Sequence, residues 1–238
     1  MILSPNIYKL VSVEDTCVIT LDEVGKWLNL SPSAISYNSS ILLGLINTAV
    51  ETVEKYTWLD LRRKQYQAMY DLSCYSLNLF LCYSLGLALQ RAPIIDLADI
   101  ISIEYLENDA WTTFSRGAMS IDGLYENTTE REVQRGWAVV KIRESISIQN
   151  RCNAYKLRIT FNTGFEKIGI NALPASLRTA LNEIVAFLYT NRGDCDSKCN
   201  LNGLPVPCTA KGLVDKFALS KTILGDTYNS IDDEYCYD

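Results

Sequence analysis

Cys195, Cys199 and Cys208 are the densest set of potential ligands in this chain, and Cys236 could add a fourth sulfur. Four thiolates in a tetrahedron are what a structural zinc ion takes. The spacing argues against it. Cys195 and Cys199 stand as CxxxC rather than the CxxC of common zinc ribbons, and Cys236 lies far off near the C-terminus. The plainer reading is free thiols in a tail that a partner orders. Cys17, Cys74, Cys82 and Cys152 are scattered, and the opening residues MILSPNIYKL lack a basic segment followed by an apolar one. A chain without that export signal is expected to keep its thiols reduced, so disulfides are not expected.

The other chemistry-bearing residues are fewer still. There is no histidine, which removes the usual general base, every Ser-His or Cys-His nucleophile pair and the commonest zinc ligand. Neither a GxGxxG nor a Walker pattern occurs, so no glycine-rich cradle for phosphates is expected. Asp232, Asp233 and Glu234 are consecutive and terminal, which suits a solvated end better than an acid/base pair. Arg62-Arg63-Lys64 is the densest basic run: a solvated strand start, or a face for an acidic partner or DNA. The residues therefore imply no enzyme: no catalytic residue, no cofactor and no resident metal.

Composition sets the class. The chain has 238 residues, 48% of them hydrophobic and 21% charged, enough for a substantial core without staples. Its net charge of −6 argues against holding the phosphate backbone as the main activity. No apolar stretch reaches the roughly 18 residues that crossing a bilayer needs, so no membrane partner is expected.

Three helices are legible. Thr20 and Glu23 have capping-box spacing ahead of Val24, Trp27 and Leu28, which predicts a helix over 21–29. Ile41, Leu42, Leu45, Ile46, Ala49, Val50, Val53 and Tyr56 recur at helical intervals and predict a helix over 41–56, after a Ser/Pro/Asn-rich loop. Pro174 opens a third, over 174–191, with Leu177, Ala180, Leu181, Ile184, Val185 and Leu188 as its core stripe and Gly193 just past its end. Between them, from about 61 to 165, short β-prone runs separated by Gly, Asn, Asp and Pro predict about five or six strands. Arg91-Ala92-Pro93 ends one run, Glu107-Asn108-Asp109 reads as a hairpin turn, and 115–135 reads as a long polar loop with a short strand inside. The expected fold is α+β: a small antiparallel helical bundle packed with the β-region over 1–193, then an extended C-terminal arm over 194–238. Gly, Pro, Asn and Asp run through that arm, which is expected not to make its own core.

The order of these parts resembles the head–tail connector, or adaptor, proteins of tailed bacteriophages. Leu21-Asp22-Glu23-Val24-Gly25-Lys26-Trp27-Leu28 matches the family's leading helix. Leu42-Leu43, Leu45-Ile46, Ala49, Val53-Glu54 and Tyr56-Thr57 match its next helix. Leu87-Ala88-Leu89, Pro93-Ile94 and Ile101-Ser102-Ile103-Glu104-Tyr105-Leu106 match a strand segment. Phe161-Asn162-Thr163-Gly164-Phe165, Leu173-Pro174, Leu177, Ala180-Leu181, Ile184-Val185-Ala186 and Tyr189-Thr190-Asn191-Arg192 match the closing motif. The insertion SCYSLNLFLCYS at 73–84 and the tail after Arg192 depart from the pattern.

The resemblance implies a structural virion protein at the head–tail interface, assembled in a bacterial host's cytoplasm. Its partners would be itself, in a ring of about twelve copies, the portal protein above, and a tail or further ring protein below. DNA would pass through the channel without sequence-specific binding. The tail would then be the portal-binding arm, with Leu201, Leu204, Val206, Leu213, Phe217, Leu219, Ile223 and Leu224 more apolar than a solvating tail requires and in need of a groove. A lumen dense in Lys and Arg would hold passing phosphates, so the lumen is expected to be acidic or mixed, with Asp122, Glu126, Glu130 and Glu132 as candidates. The alternatives are a nucleic-acid-binding module, which would show a basic stripe, and a metal-binding regulatory protein, which would bind zinc stoichiometrically.

Overall fold

The computed structural model describes residues 2–14, 18–71, 85–107, 109–113, 119–122, 127–128, 131–132, 138–142, 156–166, 172–191 and 199–219. The insertion at 73–84 lies outside them. Within the described residues the chain is a mixed α+β protein with two cores, one helical and one between sheets.

The helical core is built by α1 (Leu21–Trp27), α2 (Pro32–Tyr37), α3 (Ser39–Thr57) and α4 (Ala175–Thr190). Thr20 caps α1, accepting from the Glu23 amide at 3.2 Å, and Asn29, in left-handed backbone (φ 55°), follows the helix's end. The stretch expected as loop contains α2. Its start carries the signals of a helix: Ser31 accepts from the Ala34 amide at 3.3 Å and Pro32 occupies the first turn. Six residues are too few for a periodic stripe, which is why α2 is not legible as one. Pro174 stands immediately before α4, as its cap, rather than inside its first turn. Leu42, Ile46, Ala49, Val50 and Val53 of α3 meet Leu177, Ala180, Leu181, Ile184 and Val185 of α4, all nearly free of solvent. Each large side chain so buried contributes about 1.5–3 kcal/mol.

The five long β-prone runs are strands: β3 (Lys64–Asp71), β4 (Leu85–Leu89), β5 (Ile100–Glu107), β10 (Ala138–Ile142) and β11 (Lys156–Thr163). Shorter pieces join them: β1 (Ile2–Leu3), β6 (Ala110–Thr113), β7 (Met119–Asp122), β8 (Asn127–Thr128) and β9 (Arg131–Glu132). The Glu107–Asp109 turn closes the β5–β6 hairpin, with Asp109 left-handed (φ 60°). An N-terminal strand, β2 (Ile7–Val13), has no alternating pattern in sequence, because it is an edge strand with a register shift between Leu10 and Ser12 and exposed apolar residues on both faces.

The strands form a five-stranded sheet in the order β2-β3-β11-β5-β6 and a four-stranded sheet in the order β1-β4-β10-β7. All pairings are antiparallel except β1 with β4. Alternate residues of β3 and β11 (Tyr66, Ala68, Tyr70; Leu157, Ile159, Phe161) face Leu87, Leu89, Ala138 and Val140 of the other sheet. This is the period-two burial of a strand with one wet face.

Residues 199–219 pack onto the helical core. A hairpin of β12 (Cys199–Leu201) and β13 (Leu204–Val206) leads into α5 (Cys208–Asp215). Leu201, Val206, Ala210, Val214, Phe217 and Leu219 are buried with α3 and α4. The groove that these side chains require is supplied by the chain's own helices.

Candidate functional site

Among the described residues a polar cluster lies where the helical core meets the five-stranded sheet, and it is assembled from the motifs that carry the family resemblance. Trp58 ends α3 in left-handed backbone (φ 63°), and the chain turns back beneath the helix. Glu54, one turn before that end, accepts the Leu61 and Arg62 amides on Oε1 at 2.8 and 3.2 Å. Lys64, at the start of β3, then bridges two carboxylates, its Nζ lying 2.8 Å from Glu54 Oε2 and 2.7 Å from Asp60 Oδ1. Asp60 is 4% exposed and fully engaged: Tyr66 donates to Oδ1 at 3.2 Å and Thr163 to Oδ2 at 2.8 Å.

Arg63 completes the joint. Its guanidinium pairs with Asp99 and donates to the Gly164 carbonyl at 3.2 Å. Asp99 in turn accepts the Ile95 and Asp96 amides at 3.0 and 3.2 Å, which fixes the short 3-10 turn Leu97–Asp99. Gly164 has φ +90° and donates to the Pro93 carbonyl at 3.1 Å; a Cβ there would stand 2.1 Å from the Arg62 carbonyl oxygen. Only glycine fits that turn, which is the physical reason for the Thr163-Gly164-Phe165 motif. Ala92-Pro93, joined by a cis bond, runs beside it.

This arrangement is built to hold rather than to react. Each carboxylate is ion-paired and hydrogen-bonded, Glu54 and Asp60 sharing the one Lys64 ammonium. Burial, reinforced by the charge of Asp60, pushes the Tyr66 phenol far above its ordinary pKa, so it stays protonated and donates. Two of the three residues in the basic run Arg62-Arg63-Lys64 are thereby spent inside the protein. Arg63 and Lys64 expose only 18% and 14% of their side chains and offer nothing to a phosphate backbone.

A second tie fastens α1 to α4. Glu23 does not close the capping box; its carboxylate instead accepts from Arg178 at 2.9 Å and Asn182 at 3.0 Å. On the solvent side of the five-stranded sheet, Arg158 makes a bidentate pair with Glu104 (2.6 and 2.9 Å) and lies 4.1 Å over the Trp111 ring. The Arg158 hydrogen bonds hold the Glu104 carboxyl below its ordinary value. A carboxylate whose folded pKa is lowered adds stability that is present above its unfolded value of about 4.3 and is lost as the pH falls through the folded one. Arg158→Met is therefore expected to cost about 1 kcal/mol at neutral pH. In urea unfolding the difference from the parent chain should shrink as the pH falls through the lowered folded value of Glu104; a difference that stays undiminished in acid would show that the loss is packing on Trp111 alone.

Two of the four candidate sulfurs pair with each other. Cys199 and Cys208 form a disulfide, correcting the expectation of reduced thiols, because the β12–β13 hairpin brings the two Cα atoms to 5.3 Å. Cys195 and Cys236 lie outside the described residues, and among the described residues no three His, Cys, Asp or Glu side chains are grouped to hold a metal ion. The residues assigned to the portal-binding arm divide. Leu201, Val206, Phe217 and Leu219 are buried in the chain's own core, Leu204 and Leu213 pack partly against it, and Ile223 and Leu224 lie outside the described residues. Of the lumen candidates, Asp122 sits in β7 opposite Val139, Glu132 sits in β9 opposite Asn127, and Glu126 and Glu130 lie outside the described residues.

This fold is found in the neck of gene transfer agent particles. A chain in the neck of the empty particle, computed with C6 symmetry, superposes with a TM-score of 0.60 at 14% identity, covering 90% of this chain and 96% of that one. A chain in the native particle's virion gives 0.59 at 14% identity with the same coverage, and one in the native neck with C12 symmetry gives 0.55 at 13%. No family model and no curated protein matches the sequence. The likeness is one of fold, carried by nearly the whole length of both chains. The Asp60 joint, missing from any reading of the sequence as chemistry, is signalled there only by polar residues (Glu54, Thr57, Asp60, Thr163) at the ends of apolar elements.

Proposed function

We propose that this chain is a structural virion protein, a head–tail connector or adaptor that forms a ring beneath the portal and joins it to the tail while leaving a channel for DNA. The observation that carries the proposal is the fold shared over 90% of the chain with a particle-neck protein. The order of the four sequence motifs supports it independently. So does the joint around Asp60, which locks helices to sheet as a subunit that holds its shape in a ring requires.

In this reading the subunits close a ring of about twelve copies through heterologous contacts. The portal is met by the C-terminal arm, with Ile223 and Leu224 among the apolar residues that would make the contact. DNA slides past an acidic or mixed lumen to which Asp122, Glu126, Glu130 and Glu132 contribute, since a basic one would bind it by counterion release. The nucleic-acid-binding alternative loses its best feature, because Arg63 and Lys64 are committed to buried ion pairs.

Particle-mass measurement of the purified protein, alone and with its portal, tests the proposal. The expected result is a closed species of about twelve chain masses, formed alone or on the portal. A chain that stays monomeric in both and leaves the portal mass unchanged would refute it.

A further inference from the structure

We infer that Cys199 and Cys208 are a reversible thiol–disulfide site that closes the hairpin of the C-terminal lobe, residues 199–219, on itself and so steadies the lobe's folded form against α3 and α4. The two sulfurs bracket the lobe's hairpin, nine positions apart, one at the start of β12 and the other at the first residue of α5. Cys208 is exposed and Cys199 half-buried, so a small disulfide reaches Cys208 first. Among the described residues the lobe is held to the helices by noncovalent contacts that can let go and return: six apolar side chains in the helical core, the Leu219 amide on the Thr57 carbonyl at 3.0 Å, Thr209 on Glu183 at 2.7 Å, and Lys211 and Asp215 on the Tyr56 hydroxyl. The bond acts differently, by limiting how far the lobe's own chain can unravel once those contacts open.

The reaction partner is a low-molecular-weight disulfide of the glutathione class. The Cys208 thiolate attacks one sulfur of that disulfide, whose S–S bond breaks and releases one small thiol. The Cys199 thiolate then attacks the mixed disulfide at the Cys208 sulfur, forming the protein bond and releasing the second small thiol. Two protein thiols are oxidised and one small disulfide is reduced to two thiols, and a thiol excess runs the exchange backwards. Closing a loop of this length restricts the opened lobe enough to make opening about 100-fold rarer on the chain-entropy account. The lobe is thus adjustable while the chain is in a reducing cytoplasm and fixed once it meets an oxidising medium. This last step rests on the proposed virion role, which carries the protein from one medium to the other.

The test uses the isolated full-length chain, without portal, so that failure to form a ring leaves it readable. The chain is equilibrated with reduced or with oxidised glutathione, alkylated, and cleaved by limited proteolysis with mass-spectrometric mapping. After oxidised glutathione, Cys199 and Cys208 should both resist alkylation, and cleavage within 199–219 should slow about 100-fold. The Cys199→Ser/Cys208→Ser variant should cleave at the reduced rate under both conditions, whereas Cys195→Ser should behave as the parent. Equal cleavage rates in the two media, continued alkylation of the pair, or a bond from either cysteine to Cys195 would overturn the inference.

Discussion

Asp60→Ala is expected to lower unfolding stability by about 3–5 kcal/mol, roughly a fifth or more of what a domain of this kind holds in total. The size follows from what stays behind. Lys64 loses one of its two carboxylates and the Tyr66 and Thr163 hydroxyls lose their acceptor, in a site where Asp60 is 4% exposed and water cannot substitute. Lys64→Met should cost a similar amount, because Glu54 and Asp60 would face each other with no cation between them. The two changes should not add: with Asp60 already gone, losing Lys64 frees fewer partners, and a double-mutant cycle in urea should give a coupling of at least about 1 kcal/mol. Single losses below about 1 kcal/mol, or strict additivity, would mean that the joint is solvated in solution and holds nothing together.

Ending the chain at residue 192 should abolish cooperative unfolding, whereas ending it at residue 219 should preserve it. The lobe inserts Leu201, Val206, Val214, Phe217 and Leu219 into the core that α3 and α4 share, and burial of five such side chains amounts to roughly 8–15 kcal/mol gross. The lost ordering cost of the lobe offsets part of that. The bared faces of α3 and α4 remain, however, and an exposed apolar surface of that size favours association over a soluble monomer. Phe217→Ala isolates one contribution and should cost about 3–5 kcal/mol. Thermal melts followed by circular dichroism, with a hydrophobic dye as second readout, separate the cases. A chain ending at 192 that melts sharply without binding dye would show that the lobe is an accessory and the core closes without it.

The residues that made the fold legible are those whose burial repeats. Leu42, Ile46, Ala49, Val50 and Val53 on α3 and Leu177 through Val185 on α4 mark their helices because a long amphipathic element writes its period into the chain, and the alternation in β3 and β11 does the same for strands with one buried face. Short or two-sided elements write no period. α2 has six residues, and β2 is an edge strand exposed on both faces; neither is visible without its neighbours. The lobe is a different case. Its Gly, Pro and Asn content reads as a segment that leans on other surfaces, but composition carries no information on where a groove for Leu201, Val206 and Phe217 lies.

The candidate joint divides in the same way. The sequence by itself determined that the chain has no histidine and neither of the two glycine-rich phosphate patterns, and it placed Glu54, Arg63, Lys64 and Thr163-Gly164 at the ends of their elements, because residue type and local spacing are enough for both. Only the tertiary structure decided that Arg63 and Lys64 are ion-paired inside rather than displayed, that Thr163, 103 positions from Asp60, is its hydrogen-bond partner, and that Cys199 and Cys208 meet. The reason is physical: a charge or a thiol has the same appearance in sequence whether water or a partner surrounds it, and contacts between distant positions exist only once packing has fixed which surfaces are excluded from solvent.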